Sequence, residues 1–440
     1  MNWLSVTINK LKSNKNVFLT GGAGVGKTTI TREIIEHFET DAKKVAKLGS
    51  TGMAATLIGG QTLHSFLDLG IASDIEDLQS RGKFEIKKKI KKLINSMQLI
   101  VIDEVSMVSD ALFEMISLRL QQADFNGVVL VVGDFLQLPP VVRSLSDVHF
   151  AFESEAWESM DFEKIELTHI YRTDDVVFID LLNHVRFGFV DESVHNQLNS
   201  YIKPLPQDLS KFTFLFGKNI SANLHNKRQL EHIDSELFVK EAQIMKHLKS
   251  TKDNEVERFM NDARIEKELA LKVGAPVLFT RNSWNYFNGE RAVVVNVDAA
   301  NIFVQKSDGK VIKLESSAQS KARWSEKSVN GKKEMVEENL FSIYQFPIKL
   351  AFAITIHKSQ GMSIEDLIIE TNEIFAPSQF YVALSRSSNP KNLNLIAPRK
   401  QWYDLAYVND RAMEFVKNNT IIQKKELLVS YSDPHNRLNQ

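Results

Sequence analysis

The chain has no cysteine among its 440 residues, which excludes disulfides, a thiolate nucleophile and cysteine-ligated zinc. It also lacks a net charge of either sign, with 54 Lys and Arg against 55 Asp and Glu. Any surface for nucleic acid must therefore be a local patch on a balanced chain. No apolar run reaches membrane-spanning length. The opening MNWLSVTINK has neither a signal-peptide core nor an arginine-rich transit segment. These absences lead to the expectation of a soluble, intracellular enzyme. The length exceeds one ordinary core, so about two to four domains are expected.

What is present begins with VFLTGGAGVGKTTITREII at 17–35. Val17, Phe18 and Leu19 read as a buried strand, and Ile30, Ile34 and Ile35 as the apolar face of a helix. Between them, Gly21 to Thr28 match G-x-x-x-x-G-K-[ST] in the strand–turn–helix context that motif needs. Its glycines permit successive N–H groups to converge on phosphate oxygens, and the helix adds the positive end of its dipole. Lys27 is placed for the β- and γ-phosphates and the Thr28 hydroxyl for magnesium. The pattern is that of a nucleoside triphosphate site.

A second signal is LIVIDEVSM at 99–107, an apolar strand ending in Asp103 and Glu104. Opposite a phosphate loop, Asp103 is expected to hold magnesium and Glu104 to activate the attacking water. GVVLVVGDFLQLPPV at 127–141 supplies another buried strand, with Gln137 just beyond its end, placed to sense the γ-phosphate.

The remaining segments read with less chemistry. KKVAKLGS at 43–50 is a strand, and STGMAATLIGGQTLHSF at 50–66 a loop and short helix at its carboxyl end, the edge where open α/β sheets bind ligands. By spacing alone, His64 reads as a structural residue. Residues 74–98 carry a basic run with Ile86, Ile90, Leu93, Ile94 and Met97 on one helical face, either a solvated amphipathic helix or an insertion whose lysines meet phosphates. The pattern restarts at Lys164. A helix follows with Thr173 or Asp174 as cap, Phe178, Leu181, Leu182 and Val185 as apolar face, and Gly188 as stop. Arg172 lies just before that cap.

Residues 234–272 read as charged and mostly helical. Short strands over 276–345, separated by Asn288-Gly289 and Asp308-Gly309 turns, suggest a small β-barrel. Arg281 with Trp284, Tyr286 and Phe287 reads either as a base-stacking surface or as barrel core. The α/β texture resumes with a polar Thr355-x-His357-Lys358-Ser359-Gln360-Gly361 loop and a helix that starts at Pro377 and leads to Arg386. The tail beyond about 425 reads as disordered.

In this order, GGAGVGKT, STGMAATLIGG-QTLHSF, VIDEVSM, VGDFLQLPPV, LTHIYR, AITIHKSQGMS and FYVALSRS resemble the DNA helicases of the PIF family. These belong to superfamily one, branch B, with the RecD-like and Dda-like enzymes. The resemblance covers nearly the whole chain. It implies an α/β fold of two RecA-like motor domains: 1–163 for the first, with a small insertion near 67–98, and 164–275 with 346–425 for the second. An SH3-like barrel over 276–345 would interrupt the second, and 426–440 would form a tail.

The same resemblance implies ATP and Mg2+ as cofactors and 5′-to-3′ movement on single-stranded DNA. Duplex or forked DNA would be unwound, with G-quadruplexes as a further substrate, by an enzyme that works as a monomer. The nucleotide site would comprise Gly21, Gly22, Ala23, Gly24, Val25, Gly26, Lys27, Thr28 and Thr29, with Gln360 and Gly361. Thr28 and Asp103 would serve the metal, and Glu104, Gln137, Arg172 and Arg386 catalysis. Both arginines follow the restart at Lys164 and so read as groups offered by the second motor domain. Thr51, His64, Ser65, Phe66, Thr355, His357 and Lys358 would line the DNA track, which reverses the structural reading of His64. One departure is that no glutamine precedes the phosphate loop, where family members use one to read adenine, so weak base selection is expected. The compact length resembles a bacterial or phage form, cytoplasmic and held at the nucleoid through DNA. Two alternatives use the same residues: a nucleotide-gated DNA-binding switch without unwinding, and an RNA-directed helicase.

Overall fold

The computed structural model describes residues 2–51, 54–55, 58–141, 148–248, 251–263, 265–281, 283–286, 290–329 and 332–419. The expected Asn288-Gly289 turn, Phe287, the C-terminal tail and part of the loop after Thr51 lie outside them.

The first domain is built on six parallel strands: β1 (Val17–Gly21), β2 (Val45–Gly49), β3 (Gln61–Thr62), β4 (Leu99–Asp103), β5 (Val128–Val132) and β6 (Glu163–Leu167). Their order is β3-β2-β4-β5-β1-β6. Strands β1, β4 and β5 are buried along their whole length, as near-continuous Val/Ile/Leu runs covered on both faces must be. Because every pairing is parallel, the ends of β1, β4 and β5 put Gly21, Asp103 and Asp134 along one edge.

Strand β6 corrects the expected domain boundary. It pairs with β1 from Val17↔Glu163 to Gly21↔Leu167, so the first sheet extends past Lys164. Residues 67–98, expected as an insertion, hold helices Ile75–Ser80 and Lys88–Asn95. Leu93, Ile94 and Met97 are buried in the first domain's core, and Ile86 and Ile90 pack against it. Arg119, almost fully buried, ties the insertion down by donating to the carbonyls of Leu67 at 3.1 Å and Phe84 at 2.7 Å. Lys87 pairs with Asp68 and Lys91 with Asp124, which favours the solvated-helix reading of this run.

The second domain has four parallel strands in the order Ala353–Thr355, Thr213–Phe216, Leu367–Ile369, Leu393–Leu395. Its helix Val176–Arg186 buries Phe178, Leu181, Leu182 and Val185 as expected, but its cap is Asp175, which accepts from Phe178 N–H at 2.9 Å. The segment read as mostly helical holds strands Leu237–Glu241, Gln243–Lys246 and Glu268–Lys272 around helix Asp253–Ala263. These belong with the insertion, which therefore reaches from about Leu237 to Leu350 instead of 276–345. Its larger sheet is antiparallel and open in hydrogen-bonded order: Val311–Leu314, Ile302–Lys306, Arg291–Val297, Pro276–Phe279, Ile348–Leu350. Tyr286 is core, stacked on Phe279 at 4.0 Å, whereas Trp284 is 90% exposed. The stacking-surface and core readings thus divide between two neighbouring rings.

The C-terminal helix Asp410–Asn419 does not stay with the second domain. Ala412 and Val416 are buried in the first domain's core, Phe415 stacks on Phe152 at 4.1 Å, and Arg411 pairs with Glu153. The chain therefore crosses between the domains at 168–175 and again near Val408. Among the described residues, no helix is long and apolar enough to cross a membrane.

Candidate active site

The phosphate loop runs from β1 into helix Lys27–Thr40, with Gly24 at φ +79° and Gly26 at φ +85°, left-handed conformations that side-chain-bearing residues seldom adopt. Lys27 Nζ donates to the carbonyls of Gly21 at 2.8 Å and Gly22 at 3.0 Å. Burial lowers the Lys27 pKa, while Asp134 and Glu104 act in the opposite sense. Thr28 and Thr29 stand in the first turn of that helix.

Facing the loop, Asp103 ends β4 and is 5% exposed. Burial first, then the neighbouring Glu104, raises its pKa to about 7. Glu104 takes a left-handed backbone at φ 54°, ψ 49°, a conformation that costs a non-glycine residue about 1–2 kcal/mol and recurs where a site must aim a side chain. Its Oε2 is buried with no hydrogen-bond partner among the described residues, as is Gln360 Nε2. Burial raises the Glu104 pKa against the opposing charges of Lys27 and Arg386.

These orphaned polar atoms, beside a buried carboxylate and a hydroxyl at a helix start, suit a hydrated magnesium ion and a triphosphate. Magnesium typically takes one or two protein ligands plus phosphate and water. Thr28 and Asp103 are the residues that would hold it, and bound there it would neutralise charge on the β- and γ-phosphate oxygens.

Gln137 is 6% exposed, in the turn after β5, with its amide donating to Asp134 at 3.4 Å. Arg386, 2% exposed, follows helix Gln379–Leu384, which packs in the second domain's core. It donates to Val382 O at 2.9 Å, Ser359 O at 3.2 Å and Ser385 Oγ at 2.8 Å. Burial, then the charge of Arg172, pulls its pKa down to about 9.

Arg172 requires a correction. It follows β6 of the first sheet, and its Cβ lies 2.9 Å from where a side chain on Gly24 would begin. Its guanidinium reaches across to Ser363 Oγ at 3.0 Å and Ser385 O at 2.6 Å. It is thus a group of the crossing segment, anchored at the phosphate loop and extended toward the second domain.

The DNA-track residues divide by burial. Thr51 accepts from Ala54 N–H at 3.2 Å. His64 is half-buried and Ser65 exposed, and both line a polar groove between the first domain and the insertion. His357 and Lys358 are half-buried at the carboxyl edge of the second sheet, and Gly361 is exposed. Phe66 is 2% exposed inside the first domain's core, and Thr355 3% exposed with its hydroxyl accepting from Lys358 N–H. Both side chains are buried in this structure, although Phe66 borders the same groove as His64 and Ser65.

Three residues went unmarked in the sequence. Tyr381 accepts from Ala23 N–H at 2.7 Å, and Arg186 grips Asp134. Tyr171 is 72% exposed, its ring 3.6 Å from where a Gly26 side chain would begin. The exposed aromatic immediately before Arg172 was a usable signal. The first two pair across 358 and 52 residues of chain.

Two parallel-sheet domains joined over a phosphate loop, an acidic pair and two guanidiniums define a motor driven by nucleoside triphosphate. Residues 5–196 match the family described as PIF1-like helicase. ATP-dependent DNA helicase Pif1 of Campylobacter jejuni is 37% identical over 438 residues, covering 94% of this chain and 97% of that protein. The chain belongs to the PIF1-like helicase family. The human ATP-dependent DNA helicase PIF1 is 31% identical over 408 residues, 89% of this chain and 60% of that protein. Bacteroides sp Pif1 in complex with ADP-AlF4 superposes with a TM-score of 0.80 at 26% identity, over 95% of this chain and 96% of that one. Bacteroides Pif1 bound to ssDNA gives 0.63 at 27% identity over the same shares.

Proposed function

We propose that this chain is an ATP-dependent DNA helicase that moves 5′ to 3′ along single-stranded DNA and opens forked duplexes ahead of it. One observation carries the reading. Arg172 donates to Ser385 O at 2.6 Å and Arg386 to Ser385 Oγ at 2.8 Å, so the two guanidiniums meet at one residue. Arginine suits charge spread over phosphoryl oxygens, being planar, permanently charged and forked. Lys27 and Thr28 bind the triphosphate, Glu104 orients the water, and Gln137 contacts the γ-phosphate. The arginines complete that site from the second domain and the crossing segment, so hydrolysis is tied to how the two domains are held together. His64, Ser65, His357 and Lys358 supply DNA contacts on both domains, and direction of travel follows from family membership.

The test is ATP hydrolysis with matched DNA and RNA oligomers, followed by fuel-matched strand displacement from 5′- and 3′-tailed duplexes. Stimulation by DNA over RNA, with opening of the 5′-tailed substrate, is expected. Stimulation by RNA alone would transfer the motor to RNA, because stacking and phosphate contacts tolerate either sugar unless a 2′-OH is read. Hydrolysis without displacement would favour the switch. Family resemblance favours action as a monomer, whereas another solved Pif1 structure is described as two coordinating Pif1 helicases at forked dsDNA. Sedimentation on tailed and forked DNA distinguishes the two.

A further inference from the structure

Arg186 closes helix Val176–Arg186, whose apolar face packs in the second domain's core. Its side chain leaves that core and crosses to Asp134, in the turn after β5 of the first domain. Nε donates to one carboxylate oxygen at 3.1 Å and Nη2 to the other at 2.9 Å, the forked geometry particular to arginine. Asp134 is 0% and Arg186 7% exposed. A pair so deep gives up most of its Coulombic gain to desolvation, so its presence says little about stability. What it holds in place is more informative.

The Asp134 carboxylate also accepts from Leu136 N–H at 3.2 Å and from the Gln137 side-chain amide at 3.4 Å, and its carbonyl accepts from Gln137 N–H at 2.9 Å. Asp134 therefore shapes the turn that carries Gln137 and orients its amide, while Arg186 holds Asp134 from the other domain. Burial pushes the Asp134 carboxyl up, but Arg186 outweighs it and keeps the group below the usual carboxylate range. A second contact lies close by. Tyr381, on the helix that leads to Arg386, accepts from Ala23 N–H in the phosphate loop. A side chain on Gly22 would begin 3.3 Å from the Tyr381 hydroxyl and 3.7 Å from Arg186 Cδ. The second domain thus touches both walls of the γ-phosphate site, through Arg186, outside the quoted motifs, and Tyr381, inside FYVALSRS.

We propose that Arg186 is a positioning residue for ATP hydrolysis: acting through Asp134, it sets the Gln137 amide and links it to the second domain, with Tyr381 as the other point of that grip on the phosphate loop. The proposal rests on reading the cleft as the ATP site.

The experiment is a double-variant cycle on the full chain, reading DNA-stimulated kcat, KM for ATP and thermal midpoint. Arg186→Gln should lower kcat by about a hundredfold, the scale of a slightly misplaced catalytic group, with KM within about threefold of wild type. Gln137→Ala should give a comparable fall. Because Arg186 acts through Gln137, the double variant should be no slower than Gln137→Ala alone. Arg186→Lys, keeping the charge without the fork, should recover the melting temperature but not kcat. Tyr381→Phe, which removes only the hydroxyl, should lower kcat by about three- to tenfold. Multiplicative losses in the double variant overturn the proposal, as does a lowered midpoint with unchanged kcat. Should Arg186→Gln not fold, Arg186→Lys and Asp134→Asn with Gln137→Ala complete the same cycle. A wild-type chain without DNA-stimulated hydrolysis removes the ATP-site reading and this inference with it, whereas a multiplicative cycle in an active enzyme removes the inference alone.

Discussion

At the end of β1 in the first motor domain, a glycine loop opens onto helix Lys27–Thr40 and leaves its N-terminus for phosphate. At the matching place in the second, strand Thr213–Phe216 leads through Gly217 and Lys218 into helix Asn219–Glu231, and the N-terminus is already taken. Glu373 accepts from Lys218 N–H at 3.2 Å and from Ser221 Oγ–H at 2.5 Å, placing a carboxylate where the helix dipole favours negative charge. A side chain on Gly217 would begin 1.9 Å from the Glu373 carbonyl oxygen, so no loop of bulk can form there. The two parallel sheets therefore differ in one local decision. One presents its helix start to a ligand, the other satisfies it internally and contributes Arg386 to its neighbour's site.

The strongest way to break that comparison is to remove the guanidiniums that complete the site, Arg386 from the second domain and Arg172 from the crossing segment. Arg386→Ala, and separately Arg172→Ala, should lower DNA-stimulated kcat by about a thousandfold or more, the scale of an arginine finger. ATP affinity should fall far less, and DNA binding without nucleotide should stay near wild type. Arg386→Lys separates fork from charge, since full unwinding by that variant would show that charge suffices. Near-normal kcat in Arg386→Ala would reduce the second domain to a scaffold.

A smaller effect tests the track, where each domain supplies one motif with a residue inside and a residue facing out. Phe66→Ala should destabilise the first domain by about 3–5 kcal/mol, the cost of emptying a core phenylalanine site, with DNA affinity unchanged in the folded fraction. His64→Ala should leave the melting temperature alone and weaken single-strand binding by about 1–3 kcal/mol if a base stacks on the ring. Filter binding beside thermal melts reads both, and a specific DNA defect in Phe66→Ala would return that ring to the track.

The contrast between Phe66 and His64 also shows where the sequence was legible. Eight contiguous residues determine a phosphate loop, and an apolar strand ending in Asp103-Glu104 is a local pattern, so both could be read directly. TLHSF tells that a motif is present but not which of its rings turns inward. Strand Leu237–Glu241 alternates exposed with half-buried residues among lysines and glutamates, which masks a strand as charged helix. Glu163–Leu167 is a sheet edge with Lys or Glu at three of its five positions, so it reads as the start of something new. The return of helix Asp410–Asn419 to the first core depends on contacts hundreds of residues apart, which no local period encodes.

The first domain sets the buried Asp103 beside the half-buried Glu104, and pH should expose the cost of that pair. Asp103 has a folded pKa of about 7 against roughly 3.9 unfolded. The native state then binds the extra proton, so without metal its stability falls as pH rises from about 4 to about 7 and stays reduced above that. Asp103→Asn removes the liability. It should melt higher than wild type at pH 8 in chelator, by a gain on the order of a few kcal/mol, and match wild type near pH 4. Mg2+ with ADP should reverse the order at pH 8. A variant no more stable than wild type at pH 8 would place Asp103 in a wetter site than its 5% exposure implies.

The smallest expected effect concerns the base, where the comparison narrows to what surrounds one phosphate loop. No glutamine stands upstream of Gly21, and the helix that precedes β1, Trp3–Lys12, instead sends Trp3, Leu4 and Val6 toward the core around β1. The exposed aromatic at the loop is Tyr171, held by its N–H on Gly24 O at 2.8 Å and by an edge contact from His169 at 4.5 Å. A ring offers its face to any base, because every base has a π-face. A platform without hydrogen bonds to the base edge should therefore bind nucleotides broadly, and GTP and CTP should be hydrolysed at rates not far below ATP. Tyr171→Ala should raise KM for all of them together, by about one kcal/mol or slightly more, with kcat little changed, and Tyr171→Phe should behave as wild type. A kcat/KM preference for ATP above about a thousandfold would require a built hydrogen-bonding site for adenine, and a Tyr171→Ala penalty confined to ATP would place that site beside this ring.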